Sequence, residues 1–159
     1  MTLSIKSSPE ISKSQNGIRR QDTKTFREVM TLRDLEATSI FVQSRLSDPR
    51  VDQRIRVALQ LLTQDDCARP HATVMSHVLR VLNMSASRFR HLFKSETGLS
   101  PTQLFKVRRL QKAHTLLRTT FLSVKQITAT LGVNDVSHFI NDYHAAFGET
   151  PTQTRRRQP

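Results

Sequence analysis

This chain lacks most of the residues on which catalytic, redox and metal chemistry is built. It has one cysteine, no tryptophan, one tyrosine and four glycines in 159 residues. A lone thiol, Cys67, forms no disulfide framework and no thiolate cluster, and it fits a reducing compartment. The histidines, His71, His77, His91, His114, His138 and His144, have neither the spacing nor the companions of a zinc site. No metal and no cofactor is expected. No glycine-rich phosphate loop and no Gly-x-Ser-x-Gly elbow occurs, so no enzyme signature remains. No run of about 18 apolar residues exists, which excludes a membrane-spanning helix. The first residues hold no apolar signal core, so no secretory signal is expected. Acidic residues are scarce, at 13 against 25 lysines and arginines.

The resulting net charge of +12 points to a polyanionic partner, most often nucleic acid. The apolar fraction, 36%, implies a modest core plus a solvated segment. Apolar spacing is helical throughout, which predicts an all-α protein.

Residues 1–21 are rich in Ser, Lys and Gln. They cannot offset their ordering entropy and are expected to be disordered, with a basic arm on DNA as the functional alternative. Asp22–Leu46 reads as a helix with Phe26, Val29, Met30, Ala37, Ile40 and Phe41 near one face. It covers the side of the following domain or, alternatively, serves as a weak dimer or partner helix. Pro49 ends it. Val51–Thr63 is the next helix, with Val51, Ile55, Ala58, Leu59 and Leu62 inward. Thr73 is the expected cap of Val74–Leu82, and Ser85 the cap of Ala86–Lys94. Asn83 supplies the left-handed residue between them. Pro101 opens the longest helix, through Thr119, with Leu104, Val107, Leu110, the Lys112 stem, Ala113, Leu116 and Leu117 on its apolar side. Ser123 caps Val124–Leu131, Gly132-Val133-Asn134 form a turn, and Asn134 or Asp135 caps Val136–Ala146. Residues from Thr154 onward are expected to fray.

One stretch is stated twice. LNMSASRFRHLFKSETGLSPTQ, from Leu82, returns as LGVNDVSHFINDYHAAFGETPTQ, from Leu131. Phe89 pairs with Phe139, Phe93 with Tyr143, and Gly98 and Pro101 with Gly148 and Pro151, a constant offset of 50. Before the serines the offset is 49, so the second copy has one extra residue in its turn. Two copies of helix, short turn, helix are two helix-turn-helix units.

At these residues the sequence resembles the DNA-binding domain of the AraC/XylS family of bacterial transcription regulators. The joining helix adds Arg109-Leu110, Ala113 and Leu116-Leu117. The resemblance implies two homeodomain-like helix-turn-helix subdomains joined by a long linking helix, preceded by a disordered N-terminus and an extra helix. The implied division is 1–21 disordered, 22–50 helix and linker, 51–155 DNA-binding domain and 156–159 basic tail. Within the domain lie a first unit at 73–95, the linking helix at 102–119 and a second unit at 123–147. Too few residues precede the match for an effector-binding barrel, which suggests a single-domain member or a fragment. Leu79 and Thr128 replace a usual small alanine, Val133 a usual aromatic, and Asn141 a usual arginine.

Burial of Phe89, Leu92 and Phe93 turns Ser87, Arg88, Arg90, His91 and Lys94 outward. The resemblance makes Ser87, Arg90 and His91 base readers. Arg90 suits guanine O6 and N7, while Arg88 and Lys94 are placed for phosphates. In the second unit Val136, Ser137, His138 and Asn141 are the base candidates, Asn141 for adenine and Val136 for a thymine methyl. Ser123 and Lys125, at a helix start, are phosphate candidates. Arg109 is implied to be structural and partly buried. Asp142 repels phosphate unless it pairs with a neighbour or accepts from a cytosine amine.

Residues 83–118 carry eight cations against Glu96, a net +7, whereas 119–154 carry Lys125 against Asp135, Asp142 and Glu149, a net −2. The first unit is therefore expected to dominate DNA binding. The implied function is a sequence-specific regulator on double-stranded DNA, in the cytoplasm at the nucleoid, bound as a monomer or as a weak dimer through Asp22–Leu46. Activation requires contact with RNA polymerase, for which no surface is legible. The alternatives are a DNA-binding competitor or repressor without an activation function, or a protein-interaction module with a degenerate second unit.

Overall fold

The computed structural model describes residues 32–65 and 67–157. Among these the chain is all-helical: α1 (Leu32–Ser47), α2 (Gln53–Gln64), α3 (His71–Leu82), α4 (Ala86–Thr97), α5 (Pro101–Thr119), α6 (Val124–Thr130), α7 (Val136–Phe147) and α8 (Pro151–Arg156). The expected disorder of 1–21, and the expected helix over 22–31, lie outside the described residues.

Local chemistry sets most helix starts. The Asp52 carboxylate accepts from Arg54 N at 2.8 Å and opens α2. Ser100 with Gln103, Ser123 with Gln126, and Thr150 with Gln153 form reciprocal capping boxes on α5, α6 and α8. Ser85 opens α4, and Asp135, rather than Asn134, opens α7. The start of α3 differs from expectation. It begins at His71, three residues before Val74, because Pro70 occupies the cap position and its carbonyl accepts from Thr73 N and Val74 N. No side chain caps it. Helix α4 runs to Thr97 rather than Lys94, since the buried Thr97 hydroxyl donates to Phe93 O at 2.6 Å and holds the last turn.

The apolar residues form two cores. The first joins α2, α3 and α4 through Ile55, Leu59, Leu62, Val78, Phe89 and Phe93; the second joins α6 and α7 through Ile127, Leu131, Phe139 and Tyr143. Each such side chain contributes roughly 1.5–3 kcal/mol on burial. Helix α5 feeds both, with Leu104 and Phe105 in the first core and Val107, Leu110, Ala113 and Leu117 in the second. Lys112 is exposed, and Phe105, 3% exposed, takes the inward place that the sequence pattern had missed.

Helix α1 also serves both cores, with Leu35 in the second and Val42 in the first. This corrects the expected stripe: Ala37 is exposed and Ile40 is 73% exposed. Residues 35, 42 and 46 lie one or two helical turns apart and face the protein, whereas Ala37 and Ile40 lie on a different face. Gln111 on α5 fastens α1 by donating to Leu35 O and Ser39 Oγ, both at 2.8 Å.

Where fraying is expected from Thr154 onward, the described residues 154–156 continue a helix. Thr154 is 4% exposed, and Arg155 donates to the Thr120 and Leu122 carbonyls. The same Pro-Thr-Gln start that opens α5 opens α8, so the internal repeat contained this signal.

The second turn touches the loop between α2 and α3. Gly132 has φ +58°, and a Cβ there would stand 3.1 Å from Ala68 O. Only a glycine permits both this left-handed backbone and this approach. Arg108 on α5 donates to the Leu62 carbonyl and, at 3.4 Å, to the Asp65 carbonyl, tying the end of α2 to the linking helix.

Candidate nucleic-acid interface

Each unit presents its second helix outward. In the first, Asn83 adopts φ 48° and ψ 48°, turning the chain between α3 and α4. Phe89 and Phe93 pack 5.4 Å apart in the core. Ser87, Arg88, Arg90, His91 and Lys94 are all exposed on the other side of α4. The Arg90 guanidinium lies back along its helix, with Nε donating to Ala86 O at 3.1 Å. The other guanidinium nitrogens, Nη1 and Nη2, remain available for a bidentate contact while Nε keeps that bond. Arg88 approaches the α2 start closely enough to help hold the Asp52 carboxyl below its usual range, after the larger effects of Arg54.

In the second unit, Gly132 makes the turn and Asp135 accepts from His138 N at 2.8 Å. Val136 is 41% exposed, and Ser137, His138 and Asn141 are exposed. Ser123 is fully engaged as a cap: its hydroxyl accepts from Gln126 N and donates to Gln126 Oε1 at 2.9 Å. Lys125 is exposed beside it.

Asp142 is not a free charge near this face. It is 7% exposed, Lys106 Nζ lies 2.6 Å from its Oδ2, and His138 Nδ1 lies 3.0 Å from the same oxygen. The sequence leaves open whether Asp142 pairs with a neighbour: His138 sits at helical i−4 spacing, whereas Lys106 sits on α5 at no recognisable spacing.

Tertiary structure therefore redraws the charge map. Of the eight cations at 83–118, Lys106 is paired with Asp142 and Arg108 caps carbonyls. Arg109 lies 4.7 Å over the Phe105 ring, with Nε and Nη2 buried and without a hydrogen-bond partner among the described residues. Burial of its guanidinium pushes its pKa down. In the second half, Glu149 is paired with Arg157 at 2.9 Å and accepts from the Thr154 hydroxyl. The contrast of +7 with −2 in the sequence is smaller at the surface.

Behind α7 a polar chain runs through the core. Thr154 Oγ1 donates to Glu149 Oε1 at 2.7 Å, so it accepts from Tyr143 OH at 3.0 Å, and Tyr143 in turn accepts from His114 Nδ1 at 2.7 Å. Burial pushes the Tyr143 hydroxyl up to about 12 and His114 down. This chain joins α5, α7, the α7–α8 connection and α8, and so orients α7.

Two units of helix, turn and exposed second helix, sharing one linking helix, define a bipartite helix-turn-helix protein. Residues 78–157 match the family described as "Helix-turn-helix domain", and the chain belongs to that family, in its AraC/XylS-type form. It is 33% identical over 82 residues to the HTH-type transcriptional regulator ExsA of Pseudomonas aeruginosa, covering 52% of this chain and 30% of that protein. It is 30% identical over 110 residues to the arabinose operon regulatory protein of Salmonella typhimurium, covering 67% and 37%. Among solved structures it resembles the C-terminal domain of AraT, a response regulator from Geobacillus stearothermophilus. That match has a TM-score of 0.59 and 27% identity, and covers 69% of this chain and 90% of that one. The chain spans about a third of the length of these curated relatives. No helix among the described residues is long and apolar enough to cross a membrane.

Proposed function

We propose that this chain is a sequence-specific regulator of transcription that binds double-stranded DNA with α4 and α7 in adjacent major-groove segments. The observation that carries the reading is the presence, on one linking helix, of two exposed helix-turn-helix second helices with polar outer faces. Helix α5 has 19 residues, about 28 Å at 1.5 Å each, close to the roughly 34 Å turn of B-DNA. Ser87, Arg90 and His91 read bases from α4, while Arg88 and Lys94 hold phosphates. Val136, Ser137, His138 and Asn141 read from α7, and Lys125 approaches phosphate, with Ser123 contributing the cap that holds that helix start. The chain acts on DNA as a monomer or as a weak dimer through Asp22–Leu46, where Leu35 and Val42 face its own cores and Ile40 is exposed, and activation would proceed through contact with RNA polymerase.

Selection from a randomised duplex pool at rising salt tests this. The expected product is a motif with two short conserved blocks about one helical turn apart. No enriched motif, or binding lost by moderate salt, overturns the reading. Arg90→Ala is expected to relax preference at one base pair, by roughly 1–3 kcal/mol of discrimination. Lys94→Ala is expected to weaken all sequences alike and to lower the salt slope by about one. Equal, uniform losses in both variants refute the assignment of Arg90.

A further inference from the structure

The cluster Lys106–Asp142–His138 has a chemical consequence beyond holding α7 in place. Asp142 Oδ2 receives Lys106 Nζ at 2.6 Å from α5 and His138 Nδ1 at 3.0 Å from one turn earlier on α7. The carboxylate is 7% exposed, and its other oxygen, Oδ1, is buried with no hydrogen-bond partner among the described residues. A carboxylate only accepts, so the imidazole nitrogen facing it must carry the proton. In a neutral ring the proton then sits on Nδ1 and Nε2 is left bare. The two nitrogens point away from one another in the ring, and the His138 side chain is 47% exposed.

We propose that Asp142 is a positioning residue for base reading by the second unit. It fixes the His138 tautomer so that Nε2 faces the DNA as an acceptor, while Lys106 neutralises the carboxylate and keeps it from repelling phosphate. An acceptor in the major groove recognises the exocyclic amine of cytosine or adenine rather than guanine O6 or N7. His138 therefore discriminates for an amine-bearing base. This rests on the reading of α7 as a DNA-contacting helix, and the test keeps the two apart.

Nitrogen-15 spectra of the histidine ring in the full, DNA-free chain at about pH 8, where an ordinary imidazole is neutral, report the tautomer directly. The expected result is protonated Nδ1 and bare Nε2 for His138. Asp142→Ala should abolish that preference. Asp142→Asn should retain it, because one side-chain carbonyl at the Oδ2 position can accept from both His138 and Lys106. A proton on Nε2 in the unaltered protein, or a tautomer unchanged in Asp142→Ala, overturns the proposal. In duplex selection, His138→Ala and Asp142→Ala should lose the same cytosine or adenine preference, with no further loss in the double variant. If His138→Ala relaxes a position and a folded Asp142→Ala does not, the positioning role falls while the reading of α7 stands. If His138→Ala changes no position, the reading role of His138 falls, and the ring spectrum shows whether the tautomer lock failed with it.

Discussion

Substituting Gly132 by alanine isolates the contact between the second turn and the α2–α3 loop from ordinary turn strain. Gly132 and Gly98 share a left-handed backbone, at φ +58° and +69°, but a Cβ at Gly98 meets nothing within 4 Å. At Gly132 it stands 3.1 Å from Ala68 O and 3.5 Å from Arg69 C. A left-handed alanine costs roughly 1–2 kcal/mol, offset by about 0.4–1 kcal/mol from stiffening the unfolded chain. Gly98→Ala should therefore lose about 1 kcal/mol. Gly132→Ala must also displace the backbone at 68–69. That segment is anchored, since Asp65 accepts from Cys67 N at 2.9 Å and from Arg69 Nε at 3.0 Å. Displacing a packed neighbour adds about 1–2 kcal/mol, for a total near 2–3 kcal/mol. Urea unfolding followed by circular dichroism measures both variants, provided their m-values match. Equal destabilisation, within about 0.3 kcal/mol, would refute the wedging of the second turn against the α2–α3 loop.

Two further outcomes follow from the same geometry. Arg155→Ala removes the donors to the Thr120 and Leu122 carbonyls. These are half-buried and partly reached by water, so a loss of about 2 kcal/mol is expected in thermal or urea unfolding, from the low end of the cost of unsatisfied groups; a loss below about 0.5 kcal/mol shows that α8 is not anchored there. Burial holds the pKa values of both His71 and His114 below the ordinary imidazole value in the folded state, with nearby Arg109 and Arg118 adding to it. The unfolded chain then takes up these protons first, so stability is full above about pH 6.5 and falls as pH drops through that value toward the folded pKa. Melting curves from pH 8 to pH 5 should show this decline, and replacing either histidine by a neutral residue should flatten it; a slope unchanged in both variants contradicts the assignment.

Much of the architecture was legible from spacing. The paired Phe89/Phe139 and Phe93/Tyr143, the left-handed Asn83 and Gly132, and the Pro101 helix start are local features whose chemistry acts within a turn or two. The outward faces of α4 and α7 followed from the inward aromatics. Other readings differ from the structure, two of them for non-local reasons and one for a local one that no side chain signals. The α1 stripe was assigned to Ala37 and Ile40 because periodicity names a face without saying where the core lies. Fraying from Thr154 ignored a helix whose partners, Thr120 and Leu122, come from another part of the chain. The α3 start moved because Pro70 capped it with its carbonyl alone, which no side-chain pattern reveals.

By itself, the sequence determined that this is an all-helical protein with two helix-turn-helix units, since helix periodicity, helix caps and an internal repeat are all carried by neighbouring residues. Only the tertiary structure decided which charges meet solvent. Arg108 reaches Leu62 across 46 residues of sequence, Arg155 reaches Thr120 across 35, and Lys106 on α5 meets Asp142 on α7. A net charge counts such groups whether they face DNA or hold helices together. Their roles are set by distances that exist only once the chain has folded.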